Sequence, residues 1–348
     1  MKTSFKSGME TNDSLPQTML AVVLSEDGAT PVVKQIPVPK PGPGEVLVKM
    51  HASPINPSDL AFLKGGYGIQ REYPTVPGFE GSGTVVAAGK GILPKIWMGK
   101  KVACAASPIY DGCWAEYMKT KAGMCIPVSK NISLDQAAMT FVNPMTALAF
   151  LDIYKNLPNP AKKLRGIINT AAASSLGRMI IKLGQKQGIP VISVVRRDEQ
   201  VEMLKAEGAE YIVNSSSADF EIKLKELAHK LNATVIFDAV GGEMVQQLLD
   251  AAPKKSNLFI YGRLSDSTCE INPGELIFTG NRIEGFWLTG WLHSKSFLQS
   301  VLNTRKIQSL LSKELGTVVQ KQFQIEQIIE ALDTYKKNMS KGKVLLRF

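Results

Sequence analysis

The sequence predicts an α/β protein in which a β-rich domain is joined to a domain built on a doubly wound parallel sheet. Three observations support this fold class. Short apolar or alternating runs fill residues 20 to 128, strand–helix alternation follows from residue 165, and the tail after residue 294 returns to a mixed texture. The 348 residues also exceed one ordinary hydrophobic core and suit two domains.

The first region has the pattern of a compact β-rich domain. Its candidate strands are "MLAVVL", "EVLVKM", "GSGTVVAAG" and "KKVAC". They are separated by turns such as "PVPKPGPGE", "NPSD" and "YPTVPG", and many short strands between proline and glycine turns are typical of such domains. The segment "SLDQAAMTFVNPMTALAFLDIY", helical on both sides of Pro144, leads out of this region.

The second region alternates strand and helix at a spacing that predicts a parallel sheet wound on both faces. Strand "RGIIN" is followed by a helix with apolar residues at helical spacing, which ends at Gly188. The alternation continues through strand "PVISVV", helix "DEQVEMLKAEG", strand "AEYIVN", helix "FEIKLKELAHKL", strand "ATVIFDAV", helix "GEMVQQLLDAA" and strand "NLFIYG".

The tail adds a helix, a strand near "TVVQKQF", another helix and a last strand "GKVLLRF". We expect this tail to rejoin the β-rich domain, so that the parallel-sheet domain is an insertion. The predicted limits are a flexible N-terminal arm at 1–18, the β-rich domain at 19–143 and 294–348, and the parallel-sheet domain at 144–293.

Composition narrows the function classes. Hydrophobic residues make up 44% and charged residues 21%, which is typical of a soluble globular protein. No apolar run approaches the ~20 residues that span a bilayer, and no block of like charges suggests a nucleic-acid arm. We therefore expect neither a membrane nor a nucleic-acid partner. The net charge of +10 fits either a generally basic surface or attraction for anionic ligands such as phosphates and thioester carriers.

The cysteines indicate a reducing compartment. They lie far apart and form no C-x-x-C pair, which argues against a disulfide framework or a zinc knuckle. We expect a cytoplasmic protein, with the mitochondrial matrix as the open alternative. The four cysteines are Cys104, Cys113, Cys125 and Cys269.

The stretch "NTAAASSLG", residues 169–177, stands where a dinucleotide-binding protein carries its glycine turn. Small residues there let backbone N–H groups approach a pyrophosphate at the start of a helix. Ala171, Ser174 and Gly177 have the spacing A-x-x-S-x-x-G within a strand–turn–helix unit. With Ser175 and Leu176, which open the helix, they are the predicted pyrophosphate contacts.

Other strand ends suggest the rest of the cofactor site. In "VVRRDE", Arg196 and Arg197 precede the first acid. A guanidinium grips a phosphate with two parallel hydrogen bonds, which favours NADPH over NADH, although a solvated basic turn is the alternative. Ligands bind beyond the carboxyl ends of such strands, so the predicted cofactor wall comprises Val240, Gly241, Tyr261 and Gly262.

The sequence resembles the medium-chain dehydrogenase/reductase superfamily over residues 19–348. "VLVKMHASPINPSDL", "VPGFEGSGTVVAAG" and "GKVLLRF" are similar to its quinone-oxidoreductase branch. "INPSDLAFLKGGYG", "FVNPMTAL" and "EGFWLTGW" are closer to the enoyl-thioester reductases of that branch. The resemblance implies a GroES-like catalytic domain, a Rossmann-type NADPH domain and a homodimer formed through the NADPH domain.

The resemblance also implies that no metal takes part. Zinc-dependent members present a Cys after the third strand and a His–Glu pair in the proline-rich turn, usually with a four-cysteine loop. Here Asn56 or its neighbours occupy the Cys region, Phe79 occupies the His position, and the cysteines do not cluster. A zinc site needs three or four closely placed N, S or O ligands, so we predict none.

In the enoyl-thioester reductases, a tyrosine in the matching glycine-rich segment is the hydrogen-bond donor to the substrate carbonyl. Tyr67 falls on that position, with Tyr73 as a less favoured candidate; an aromatic packing role is the alternative. The resemblance gives Asn56 a contact with the nicotinamide ribose or the substrate carbonyl, whereas Asp59 holds the loop. Thr146, Phe286 and Trp287 complete the implied cofactor-side residues, and the two aromatics equally suit a core or dimer face.

These expectations lead to one function and two alternatives. The sequence predicts an NADPH-dependent oxidoreductase that transfers hydride to a carbonyl-conjugated C=C, as in an enoyl thioester or an enone, without zinc. An NADPH:quinone reductase would share nearly all of these residues. An NADPH-binding protein with a structural or regulatory role is the third hypothesis, which the glycine-poor turn supports.

Overall fold

The computed structural model describes residues 15–158, 165–295 and 297–348. The described chain opens with two antiparallel strands, β1 (Thr18–Val23) and β2 (Val32–Pro37). Most of the predicted N-terminal arm, residues 1–14, lies outside the described residues, and β1 already begins at Thr18.

The β-rich domain is built on a seven-stranded mixed sheet. Its longest strand pairs with two others in antiparallel register, and these strands bury an apolar core of Val, Met and Cys side chains. Five of its strands are β3 (Glu45–Pro54), β4 (Glu80–Ala88), β5 (Lys101–Ala105), β6 (Tyr117–Lys121) and β7 (Cys125–Pro127), and the other two come from the C-terminal tail. The helices of this part are α1 (Pro57–Leu63), α2 (Ile92–Trp97), α3 (Leu134–Ala138) and α4 (Val142–Asn156).

The parallel-sheet domain has six strands in the order β10-β9-β8-β11-β12-β13, and every pair is parallel. The strands are β8 (Ile167–Asn169), β9 (Val191–Val195), β10 (Tyr211–Asn214), β11 (Val235–Asp238), β12 (Asn257–Ile260) and β13 (Arg282–Gly285). The helices are α5 (Ser175–Gln187), α6 (Asp198–Ala206), α7 (Phe220–Lys230), α8 (Glu243–Ala251), α9 (Pro273–Ile277) and α10 (Leu288–His293). β8, β9 and β11 are buried throughout, as central strands covered on both faces must be. The predicted alternation is confirmed.

The tail returns to the first sheet, as the sequence predicted. Its elements are α11 (Phe297–Leu311), β14 (Val319–Gln324), α12 (Ile328–Lys337) and β15 (Lys343–Arg347). β15 pairs with β3 in antiparallel register and with β14 in parallel. Helix α11 instead packs against the parallel-sheet domain, because Ile307, Leu310 and Leu311 are buried in one cluster with Phe237 of β11. The exact domain limits remain predictions.

The two domains meet at the carboxyl edge of the parallel sheet. Lys64, after α1, forms an exposed ion pair of 2.9 Å with Asp266, after β12. Apolar side chains of both domains also share a core, in which Ala103 of β5 and Ile126 of β7 lie with Phe237 of β11. No helix among the described residues is long and apolar enough to cross a membrane.

Candidate active site

Strand β8 runs into the turn that was predicted to bind a dinucleotide. Ala171 has a left-handed backbone with φ of 46°, a conformation that favours glycine. A Cβ added at Gly177 would lie 2.5 Å from the Ala172 carbonyl oxygen, so only glycine lets α5 start this close to the turn. Ser174 caps α5, and its Oγ accepts a hydrogen bond of 3.1 Å from the Gly177 N–H. These small residues provide the geometry of a glycine-rich turn.

The N-terminus of α5 suits an anion. β8 lies inside the parallel sheet between β9 and β11, and the thirteen-residue helix begins at its carboxyl end with Ser175 and Leu176. No acidic residue occupies the first turn of α5, so no carboxylate there opposes the positive end of the helix dipole. The arrangement therefore fits the pyrophosphate of a dinucleotide.

Asp238 organises the neighbouring strand ends. Its buried carboxylate accepts hydrogen bonds from the Thr170 hydroxyl at 2.6 Å, the Val240 N–H at 3.0 Å and the Gly241 N–H at 2.8 Å. Gly241 has φ of 72°, which glycine adopts without strain. The turns after β8 and β11 are thereby joined, while the contact of Val240 and Gly241 with a cofactor remains a prediction.

The end of β12 supplies the adjoining part of that wall. A Cβ added at Gly262 would lie 2.7 Å from the Ala239 carbonyl oxygen, so the two strand ends approach as closely as glycine permits. The Tyr261 ring lies 4.9 Å from the Phe150 ring. The Tyr261 hydroxyl is buried without a hydrogen-bond partner among the described residues, and burial raises its pKa.

Arg196 and Arg197 are both exposed just beyond the end of β9. Arg197 donates to the Ser340 hydroxyl at 3.2 Å, whereas no described residue pairs with the Arg196 guanidinium. The nearby acid, Asp198, accepts a 2.7 Å hydrogen bond from the Asn214 amide. This carboxylate is thus already engaged, and two cations remain at the place where a ribose 2′-substituent lies in such folds.

Tyr67 lies at the junction of the two domains. Its ring is 4.9 Å from the Phe79 ring, and a Cβ added at the next residue, Gly68, would lie 3.9 Å from the Trp287 ring. Burial raises the pKa of the Tyr67 phenol, while a hydrogen bond with the Trp287 side chain opposes the rise. The phenol is therefore protonated at neutral pH and can act as a donor.

Arg263, which was not among the predicted site residues, also contacts the loop of Tyr67. A Cβ added at Gly66 would lie 2.4 Å from an Arg263 nitrogen, so the guanidinium lies directly against this glycine. With the Lys64–Asp266 ion pair, it fixes the glycine loop, residues 64–68, against the parallel-sheet domain. Arg263 directly follows Gly262 of the predicted cofactor wall, and this position was the sequence feature that could have indicated it.

Asn56 stands at the centre of a buried polar cluster below this loop. Its side-chain amide donates to Glu80 at 3.1 Å and accepts a hydrogen bond from Lys343, and its backbone N–H donates to Asp59 at 2.7 Å. Asn56 and Asp59 are 0% exposed, Glu80 1% and Lys343 2%. Both ends of the Asn56 amide are occupied, so this geometry gives it a positioning role; the predicted contact with ribose or substrate remains a prediction. Asp59 holds the start of α1, as expected.

Burial and the neighbouring charges shift the titration of this cluster. Desolvation raises the pKa of Asp59 from 3.8 to about 7 and that of Glu80 above its ordinary value. Desolvation lowers the pKa of Lys343 to about 8, against the attraction of the two carboxylates. The cluster therefore carries buried ionisable groups that the sequence analysis did not bring together, because they come from α1, β4 and β15.

The remaining predicted residues lie near the junction in different environments. Thr146 is buried in α4, and its hydroxyl donates to the Val142 carbonyl at 2.6 Å. The Phe286 ring packs 4.9 Å from Phe150, whereas Trp287 is 45% exposed. The alternative donor, Tyr73, bonds the Asp27 carboxylate, and its pKa is raised to about 12.

Comparisons with known proteins agree with this architecture. Residues 175–303 match the family described as zinc-binding dehydrogenase, and residues 42–130 match the alcohol dehydrogenase GroES-like domain. The mitochondrial enoyl-[acyl-carrier-protein] reductase of Arabidopsis thaliana is 30% identical over 275 residues, which cover 77% of this chain and 70% of that protein. The chain belongs to the medium-chain dehydrogenase/reductase superfamily. The predicted resemblance and fold class are confirmed, and the protein is an oxidoreductase of this superfamily.

Solved structures share this fold over nearly the whole chain. A crystal structure from Mesorhizobium loti, assigned as an NADPH:quinone reductase, is 34% identical with a TM-score of 0.89, covering 96% of this chain and all of that one. The quinone oxidoreductase of Thermus thermophilus, solved also with NADPH, is 23% identical with a TM-score of 0.75 over 95% of this chain and 100% of its own. At that identity the second likeness shows the shared fold alone.

One family description names zinc, but the residues of this medium-chain dehydrogenase/reductase do not fit that ion. Phe79 places an apolar ring beside Tyr67. In the described ranges no three His, Cys, Asp or Glu side chains are grouped to hold a metal. Burial raises the pKa of the thiols of Cys104, Cys113 and Cys125, which opposes the thiolate form that zinc requires. Zinc independence remains a prediction.

Proposed function

We propose that the protein is an NADPH-dependent reductase of carbonyl-conjugated C=C bonds. Enoyl thioesters are the leading substrate class, and the Tyr67 phenol donates a hydrogen bond to the substrate carbonyl oxygen. The observation that carries the proposal is the position of the Tyr67 phenol. It lies at the domain junction beside Phe79 and Trp287, at the carboxyl edge of the sheet where ligands of such folds bind.

The chemistry requires a neutral donor at that place. When bound, the cofactor supplies the hydride that reaches the β-carbon, and negative charge then develops on the substrate carbonyl oxygen. A protonated phenol stabilises this oxygen by donating a hydrogen bond. The raised pKa of Tyr67 keeps the proton on the phenol, and a proton delivered to the α-carbon completes the reduction.

Other residues position the two reactants. The turn from Ala171 to Gly177 would hold the pyrophosphate, and Arg196 with Arg197 would pair with a 2′-phosphate. Arg263 braces the glycine loop against the parallel-sheet domain. The buried cluster around Asn56 fixes the start of α1, which precedes that loop.

The test follows NADPH oxidation with crotonyl-CoA and with 1,4-benzoquinone for the wild type, Tyr67→Phe and the control Tyr73→Phe. Removing the donor should lower kcat for crotonyl-CoA by about a hundredfold, because general acid–base groups contribute roughly 10²–10⁴, while NADPH affinity is retained. Tyr73→Phe should leave the rate near that of the wild type. A Tyr67→Phe enzyme that reduces crotonyl-CoA at the wild-type rate would refute the assigned donor.

A quinone reductase is the second candidate, favoured by the Mesorhizobium loti structure at 34% identity. Benzoquinone turnover that is indifferent to Tyr67, together with no crotonyl-CoA turnover, would select this function. NADPH binding without turnover of either acceptor would select the regulatory hypothesis.

The cofactor proposal rests on the cation pair beyond β9. In the double variant Arg196→Ala/Arg197→Ala, the Kd for NADPH should rise at least tenfold, because charge-assisted bonds to a phosphate are lost. The Kd for NADH should change little, since it lacks that phosphate. Equal losses for both cofactors would contradict the assignment.

We also propose a homodimer through the parallel-sheet domain. In the described part of the chain β13 is the last strand of its sheet, and such an edge invites pairing with another chain. Nearby, Ile277 is 70% and Phe278 80% exposed. Light scattering should report a dimer for the wild type and a monomer for Phe278→Glu; a monomeric wild type would contradict the proposal.

A further inference from the structure

The β-rich domain carries an apolar surface that the reductase site does not use. It lies on the short helix α2 and the residue after it. The inner side of this segment is packed, because Pro94 is buried and the Trp97 indole N–H donates to the Ala122 carbonyl at 2.9 Å. The outer side presents four large apolar side chains, which are Ile92 (82% exposed), Leu93 (37%), Ile96 (47%) and Met98 (45%).

Backbone hydrogen bonds join this segment to two neighbouring ones. The Gly44 N–H donates to the Lys90 carbonyl at 2.7 Å, and the Ala122 N–H donates to the Gly44 carbonyl at 2.9 Å. The three segments therefore form one fixed surface rather than separate loops. We name it the lysine patch, and it comprises residues 40–45, 89–101 and 119–124.

The lysine patch is strongly basic. These segments contain seven lysines and a single acid, Glu45, which is only 8% exposed and accepts a hydrogen bond from the Gly42 N–H. In the part of the chain that the structure describes, none of the seven ammonium groups lies within ion-pair distance of a carboxylate. The lysines are Lys40, Lys90, Lys95, Lys100, Lys101, Lys119 and Lys121.

We propose that the lysine patch docks this enzyme on an anionic lipid surface. Aliphatic side chains enter the boundary between headgroups and acyl chains, while surrounding lysines pair with lipid phosphates. No membrane partner was expected from the sequence, because no apolar run is long enough to span a bilayer. A protein can dock on a membrane surface without a membrane-spanning segment, so the absence of a long apolar run excludes spanning but not docking.

The residue types favour lipid over a protein partner. Protein interfaces are enriched in tyrosine, tryptophan and arginine and depleted of lysine. The lysine patch has seven lysines and no arginine, and Trp97 is turned toward Ala122. The hydrated lysine ammonium groups around the protruding aliphatic side chains suit an anionic lipid surface, because a fluid lipid layer binds them without a pocket of matching shape.

The test is co-sedimentation of the full chain with vesicles. Vesicles of phosphatidylcholine with about one-third phosphatidylserine should bind the protein about tenfold more strongly than phosphatidylcholine alone, and added salt should weaken that binding. Ile92→Ser/Ile96→Ser and Lys95→Glu/Lys100→Glu should each reduce binding by about tenfold. The matched controls on α7, Ile222→Ser and Lys225→Glu/Lys230→Glu, should bind as the wild type does.

Three results would overturn the proposal. The first is no sedimentation with anionic vesicles, and the second is equal binding by patch and control variants. The third is a fall in the mass of the patch variants from dimer to monomer, which would assign the surface to a second copy of the chain. Because all substituted side chains are exposed, the thermal melt and the reductase rate should stay at wild-type values and show that the variants are folded.

Discussion

The turn after β8 and the buried cluster around Asn56 are the two halves of the proposed site, and they are built from different kinds of residue. The turn uses contiguous small residues, 169–177, and offers backbone N–H groups at a helix start. The cluster uses charged side chains at positions 59, 80 and 343, which meet only when the tail returns to β3. The half predicted to bind the cofactor is therefore encoded locally, whereas the half beneath the donor depends on the tertiary fold.

The two halves should fail in different ways. Removing one partner from a buried ion cluster leaves an uncompensated charge in a low-dielectric interior, which is strongly destabilising. Altering a backbone turn changes the space available to a ligand and a few contacts, with a smaller effect on stability. Substitutions in each half can sharpen or break this contrast.

The largest effect is expected for Lys343→Met. The substitution keeps much of the side-chain volume but leaves the carboxyl groups of Asp59 and Glu80 without their buried cation. We expect the free energy of unfolding to fall by about 3–5 kcal/mol, measured by urea denaturation. The control is Lys341→Met, an exposed position two residues earlier, which should change stability by less than about 0.5 kcal/mol. Equal effects of both variants would show that the cluster is not a stabilising ion network.

The next effect concerns pH and Asp59. The folded-state pKa of this carboxyl is raised from 3.8 to about 7, so the folded protein binds the proton more tightly than the unfolded chain does. The stability that this group contributes is therefore present at low pH and is lost as pH rises from about 4 through 7. In Asp59→Asn the loss should disappear.

The measurement is the difference in unfolding free energy between the wild type and Asp59→Asn across pH 4.5 to 8. The wild type should lose about 1–3 kcal/mol relative to the variant over this range. Comparing the two proteins cancels the titration of the carboxyl groups that do not interact with Asp59. A difference that stays flat, or that moves in favour of the wild type as pH rises, would show that Asp59 is ionised throughout.

In the turn, Gly177→Ala tests the close approach of α5. Its Cβ would lie 2.5 Å from the Ala172 carbonyl oxygen, so the helix start must shift. We expect a loss of about 1–3 kcal/mol in stability and a rise in the Kd for NADPH, measured by fluorescence titration. Gly123→Ala, where an added Cβ meets no atom within 4 Å, should retain both values. An unchanged Kd for Gly177→Ala would place the cofactor elsewhere.

Sequence reasoning predicted the alternating domain well because its signals are local. Hydrophobic periodicity and the small residues before α5 predicted the sequential order of β8 to β12. The contact between the Tyr67 phenol and the Trp287 side chain was not predicted. The hydrogen bonds at both ends of the Asn56 side-chain amide could not be predicted, because their partners, Glu80 and Lys343, are distant from Asn56 in the chain. Burial of charge is a property of the folded core, and a single sequence gives no direct measure of it.

The smallest effect is expected at Ala171, where the sequence departs from a glycine-rich turn. Its φ of 46° strains an L-residue by about 1–2 kcal/mol, while glycine would add unfolded-state entropy of about 0.4–1 kcal/mol. Ala171→Gly should therefore be neutral or stabilising by up to about 1 kcal/mol, with unchanged NADPH affinity. The same exchange inside α7, Ala228→Gly, should destabilise by about 1 kcal/mol or more. If Ala171→Gly is as damaging as Ala228→Gly, the methyl group itself is needed in the turn, and the backbone alone does not form this half of the site.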